Sequence, residues 1–95
     1  MAEIDTDSVI KRKEGYLETE LDDEIIIMHI NSGHIIGFAD TAKEIWSQLS
    51  EPISFGKIVD QLVGEFDVDR DTCIAEVRRF LASLENEDMV EIIVA

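Results

Sequence analysis

Few side chains in this sequence could carry chemistry, and their spacing decides what kind. The single cysteine, Cys73, has no histidine after it in the chain. It falls on an apolar helical stripe, whereas reactive thiols sit in electropositive, partly exposed places. Only the nearby Arg70 favours reactivity. The two histidines, His29 and His34, are too few for a metal centre, which needs three or four ligands. The carboxylates are many but scattered over solvent faces, so no pair is marked out for acid–base work. Gly33 and Gly37 do not open a helix and so form no phosphate cradle. Trp46 stands at helical spacing as a core anchor. These residues predict a protein that is not an enzyme, holds no metal and needs no cofactor.

Charge narrows the partners. Twenty-two acidic residues against eight basic ones give a net charge of -14. Such a field repels phosphate backbones and anionic membranes and favours a basic partner. The cations that could oppose it are KRK at 11–13 with Arg70, Arg78 and Arg79, and none is interleaved with aromatics. The longest apolar run, Ile25 to Ile30, is far short of the roughly 20 residues that span a bilayer. The start, MAEIDTDSV, lacks the basic-then-apolar pattern of a signal peptide. One cysteine cannot form an internal disulfide, which suits a reducing compartment. The expectation is a cytoplasmic protein that engages neither membrane nor nucleic acid.

The elements follow from periodicity. Residues 1–14 are polar and predict a mobile N-terminal arm with a short strand near Val9 and Ile10. GYLETEL (15–21) alternates weakly as a strand, and Asp22 and Asp23 turn the chain. EIIIMHIN (24–31) is the strongest strand, β-branched and bounded by turn residues. Gly33 can take the positive φ of a hairpin, and HIIGFA (34–39) returns antiparallel. Asp40 or Thr41 is placed to cap a helix whose stripe is Ala42, Ile45, Trp46 and Leu49. Pro52 ends it, and Ser54 caps a second helix running from Phe55 to Phe66. A third runs from about Arg70 to Glu87, and Met89 to Ile93 leave as an extended tail. Residues 15–95 thus predict one α+β, winged-helix-like domain, with a three-stranded antiparallel sheet followed by three helices.

The strand in NSGHIIGF (31–38) has little polar protection for so acidic a chain. It closes the meander, and a free edge offers backbone groups to any extended peptide. On the third helix Val77 and Leu84 point to the core centre, with Ile74, Leu81 and then Arg78 along one flank. A peptide could add to 34–38 and set alternate side chains against that flank.

The motifs HINSGHIIGFADTAKEIWSQL and IVDQLVGEFDVDRDTCIAEVRRFLASLENEDMV resemble the PqqD-like family of leader-binding peptide-modification chaperones. Gly33, Gly37, Phe38, Thr41, Ile45, Trp46, Leu62, Phe80 and Leu84 stand where that pattern places them, over about residues 16–93. The resemblance implies binding of the leader of a ribosomally made precursor peptide by strand addition, and its presentation to a partner leader peptidase or modifying enzyme. Lasso-peptide maturation is favoured over a radical-SAM, pyrroloquinoline quinone-type pathway. Carried over, the leader edge is His34, Ile35, Ile36, Gly37 and Phe38, and the helix wall is Ile74, Val77, Arg78 and Leu81. Ile35, Ile36, Ile74 and Arg78 are the expected direct contacts. Ile35 and Ile36 replace a frequent aromatic pair, and Ala39 stands where asparagine is common. The rival expectations are a winged-helix DNA-binding regulator and a homodimerisation module. As a leader binder, the chain is expected to be a monomer or weak homodimer.

Overall fold

Up to residue 38 the chain is written in short β-branched and weakly alternating runs between turn residues, and from residue 42 apolar residues recur at three- and four-residue spacing. The computed structural model describes residues 4–93, which fall into two units, residues 4–13 with 48–93 and residues 14–47. The element order is β1 (Val9–Arg12), β2 (Tyr16–Leu21), β3 (Glu24–His29), β4 (Ile35–Phe38), α1 (Asp40–Gln48), β5 (Ile53–Ser54), α2 (Phe55–Glu65), α3 (Arg70–Asn86) and β6 (Val90–Ile93).

In the unit of residues 14–47, β2, β3 and β4 form an antiparallel meander in that order. Asp22 turns the first hairpin with φ 57° and Gly33 the second with φ 71°, the left-handed region where glycine carries no penalty. Ile25, Ile27 and Phe38 point to one side and are buried with Ile45 and Trp46 of α1. Ala39 has no side-chain acceptor to cap α1. Its carbonyl instead accepts from the Ala42 N–H at 3.1 Å, and the helix begins at Asp40 itself. The expected cap at Asp40 or Thr41 is replaced by this backbone bond.

The other unit holds a second sheet, of order β5-β1-β6. The sequence predicts only one sheet; the additional one is built from short, distant segments. β1 is its middle strand, with Ile10 opposite both Ile53 and Ile92 and fully buried. Residues 4–12 of the expected mobile arm therefore carry a sheet strand and the buried Ile4 and Ser8; its first three residues lie outside the described ones. The extended tail expected after Met89 is β6.

The same N-terminal segment completes α2. A helix leaves its first N–H groups without intrahelical partners. Here Ser8 O accepts from Phe55 N–H (2.8 Å), Thr6 O from Gly56 N–H (3.1 Å) and Ser54 Oγ from Lys57 N–H (3.3 Å). Helix α3 is capped by Asp69, whose carboxylate accepts from the Thr72 N–H at 3.2 Å. It ends with Asp88 at φ 62°, Asp88 N–H donating to Glu85 O and Met89 N–H to Leu84 O. That is a Schellman ending with aspartate in the usual glycine position, and both Leu84 and Met89 are buried.

Two glycines of α2 separate propensity from packing. A Cβ at Gly64 meets nothing within 4 Å, whereas one at Gly56 would lie 2.6 Å from Thr6 Cγ2 and 3.2 Å from Thr6 O. Chemical denaturation should show Gly64→Ala stabilising by about 1 kcal/mol. Gly56→Ala should lose that gain and destabilise, because residue 6 must move off the helix end.

Candidate functional site

The edge of β4 is built from its register. His29 N–H donates to His34 O at 2.9 Å, which makes 29 and 34 a hydrogen-bonded pair. Such pairs alternate along an antiparallel ladder, so Ile27 with Ile36 and Ile25 with Phe38 exchange bonds. Ile35 and Gly37 then turn their N–H and C=O groups away from β3, toward the outer side of the sheet.

Side-chain parity supplies the rest. Ile36 and Phe38 share the covered face, where Trp46 is fully buried with its ring centroid 5.6 Å from both Phe38 and Tyr16. The indole Nε1–H donates to Glu18 Oε1 at 2.8 Å, satisfying the one polar atom that burial of a tryptophan would strand. On the opposite face Leu17, Thr19, Ile26, Met28 and Ile35, with Glu18 at the rim, line a shallow hollow of about 340 Å³. Ile35 is 63% exposed and Leu17 57%. Gly37 leaves this face open: a Cβ there would reach only ordinary contact, 3.4 Å from Ile26 Cδ1 and 3.6 Å from Glu24 Oε1.

The predicted leader-binding residues divide between the units. His34, Ile35, Ile36, Gly37 and Phe38 lie together on or beside β4 in residues 14–47, with Phe38 buried and Ile36 half-buried. Ile74, Val77, Arg78 and Leu81 lie on α3 in the other unit. There Val77 and Leu81 are buried, Ile74 is half-buried and Arg78 is exposed. Arg78 is engaged within its own unit: Nε–H donates to Ile4 O at 3.0 Å, and the guanidinium lies 5.6 Å from the Phe55 ring centroid. Arg70 pairs with the Asp60 carboxylate.

Sequence reasoning missed the open apolar face and the Arg78 contact with the N-terminal segment. The first was legible in GYLETEL, since residues of one parity there are apolar and covered by nothing in the same stretch. The second joins residues 74 positions apart and leaves no local signal. Among the described residues no group of three or more His, Cys, Asp or Glu side chains could hold a metal ion. No helix among them is long and apolar enough to cross a membrane.

Residues 24–90 match the family described as coenzyme PQQ synthesis protein D (PqqD). A solved structure of TbiB1 in complex with the TbiA(beta) leader peptide is 32% identical over 85% of this chain and 94% of that one, with a TM-score of 0.79. A lasso peptide synthetase B1 complexed with the leader peptide is 20% identical over 86% of this chain and 96% of that one. Its TM-score of 0.78 marks a shared fold. No curated protein matches significantly.

Burial, with the Glu76 carboxylate adding to it and Arg70 opposing, pushes the Cys73 thiol above its usual value of 9.0. A raised native pKa favours the neutral thiol in the fold, so its contribution is full below the unfolded value and is lost as pH rises through the native one. Denaturation at increasing pH above about 8 should therefore show the wild type losing stability relative to Cys73→Ala. A thiol reagent at pH 8 should react with the native protein far more slowly than with the unfolded chain.

Proposed function

The chain belongs to the PqqD family, and from that membership we propose that it binds the leader of a ribosomally made precursor peptide by strand addition to β4. It then presents the leader to a partner enzyme, a leader peptidase in lasso-peptide maturation. The observation that carries this is the outer edge of β4, where Ile35 and Gly37 direct four backbone groups away from β3. The 32% identical TbiB1 was solved with a leader peptide, which supports the ligand class.

The chemistry is that of β-augmentation. Main-chain bonds give an added strand its register, and alternate side chains give it specificity. Each bond contributes about 1 kcal/mol net, and burial of apolar side chains adds about 25 cal/mol per Å². One parity of the leader faces the side of Ile36 and Phe38; the other lies beside Ile35 and over Gly37. In this reading Ile35, Ile36 and Gly37 touch the leader, and Phe38 shapes the site from the core. On α3, Val77 and Leu81 are buried and hold that helix in its own unit. The protein itself performs no bond chemistry and acts in the cytoplasm. The open apolar face around Leu17, Met28 and Ile35 is the surface offered to the partner enzyme, since soluble monomers seldom leave such residues contiguous and uncovered.

The test exploits the outward N–H of Ile35. Proline is tolerated where a strand's N–H faces away from its neighbour, so Ile35→Pro removes a donor to the leader without breaking the bonds between β3 and β4. Calorimetric titration with the leader peptide from an adjacent precursor gene should give saturable one-to-one binding. Ile35→Pro should weaken it about tenfold or more, while Ile35→Ala loses only the side-chain share. Equal affinity for all three would remove β4 as the site.

A further inference from the structure

The sheet of residues 14–47 has a second outer strand. β2 is six residues long against four for β4, and it forms the opposite edge of the order β2-β3-β4. Ile30 N–H donates to Gly15 O at 2.8 Å, so 15 and 30 are a hydrogen-bonded pair. By alternation Leu17, Thr19 and Leu21 exchange bonds with Met28, Ile26 and Glu24. The backbone of the other parity, Glu20 included, turns to the outer side.

The two edges differ in chemistry. Along β4 the exposed row is apolar. Along β2 one row is apolar and exposed, with Leu17 at 57% and Leu21 at 62%, and the other is acidic, with Glu18 and the exposed Glu20. Asp22 and Asp23 follow at its end. Residues 14–47 as a whole hold eight carboxylates and a single lysine.

We propose that β2 is a second docking edge, taking an extended segment of a partner protein whose side chains alternate apolar and basic. An added strand continues the two rows of its neighbour. Its apolar residues would lie beside Leu17, Thr19 and Leu21, and its cations beside Glu20. A second copy of this chain does not fit, because pairing β2 with itself sets acidic row against acidic row, and like charges directly opposite destabilise a sheet. Charged edges ordinarily guard against indiscriminate pairing; here the guard is selective, rejecting acidic strands and admitting basic ones. Such a protein would hold its leader on one edge and its partner on the other, four strand spacings apart, roughly 19 Å. The site is separate from the leader edge but extends the partner-facing surface proposed above around Leu17; leader titration and β2 protection are read separately, so failure of one is distinguishable from failure of the other.

The probe is a synthetic ten-residue peptide of alternating valine and lysine, with an alternating valine–glutamate peptide as control, read by NMR on the isotope-labelled full chain. The lysine peptide should slow hydrogen exchange at the Glu20 amide and shift resonances along 16–21, leaving Ile35 and Gly37 unchanged. The control should do neither. Glu20→Pro removes an outward N–H and keeps the bonds to β3, so it should abolish the protection. Glu20→Lys, which leaves the backbone intact, should weaken binding about tenfold and covers the case in which the proline variant fails to fold. Titration with the leader peptide should be unchanged in both folded variants. Shifts spread over the acidic surface without protection at Glu20 would reduce the effect to charge adhesion and overturn the proposal. Loss of leader binding in Glu20→Lys would overturn it too, by assigning this edge to the leader.

Discussion

The register between β3 and β4 is the constraint on which the rest depends, and Trp46 supports it. Side chains in a strand alternate faces, so a slip of one residue would exchange the covered and open rows throughout the sheet. Ile27 and Phe38 belong on the buried face, Phe38 against the indole ring, and Trp46 can donate to Glu18 only if Glu18 shares their parity. Three strands thus agree on one face. The exposed apolar face and the open edge of this unit are the complement of that agreement: Leu17, Met28 and Ile35 face outward, and the backbone of Ile35 and Gly37 faces the edge.

The other unit depends on a different economy. Its two helices carry regular apolar stripes, but neither the sheet nor the start of α2 is complete without residues 4–12. Ser8 O and Thr6 O take the N–H groups of Phe55 and Gly56, and β1 gives both β5 and β6 their only strand neighbour among the described residues. A two-residue strand such as β5 has no stability of its own. The N-terminal segment is therefore structural, and Gly56 is a glycine because a side chain there would collide with it.

The meander, the three helices, the cap at Ser54 and the turn at Gly33 were legible in the sequence because each is written in neighbouring residues. EIIIMH shows β-branching between turn residues, and FGKIVDQLV shows helical spacing. The edge at Ile35–Phe38 was legible for the same reason, together with the family pattern. The second sheet was not. VIKR buries only Ile10 completely, and its pairing with Ile53 and Ile92 spans most of the chain; nothing local in a four-residue segment specifies a partner so far away. Arg78 was legible as a flank residue of α3, but its bond to Ile4 O was not, since a backbone carbonyl carries no sequence signature.

The shortness of β4 has a consequence for how a leader would be held. Two outward residues supply at most four backbone bonds, about 4 kcal/mol in all, while fixing each residue of a disordered peptide costs about 1–2 kcal/mol in backbone entropy. The main chain alone cannot hold a leader; it can only set its register. Affinity must then come from the leader's side chains, those beside Ile36 and those over the gap at Gly37, so the same shortness that weakens the edge makes it selective. An edge that depends on side chains also releases its strand to any competitor for those side chains. For reversible binding of a peptide, four residues of edge suit the chemistry better than eight would.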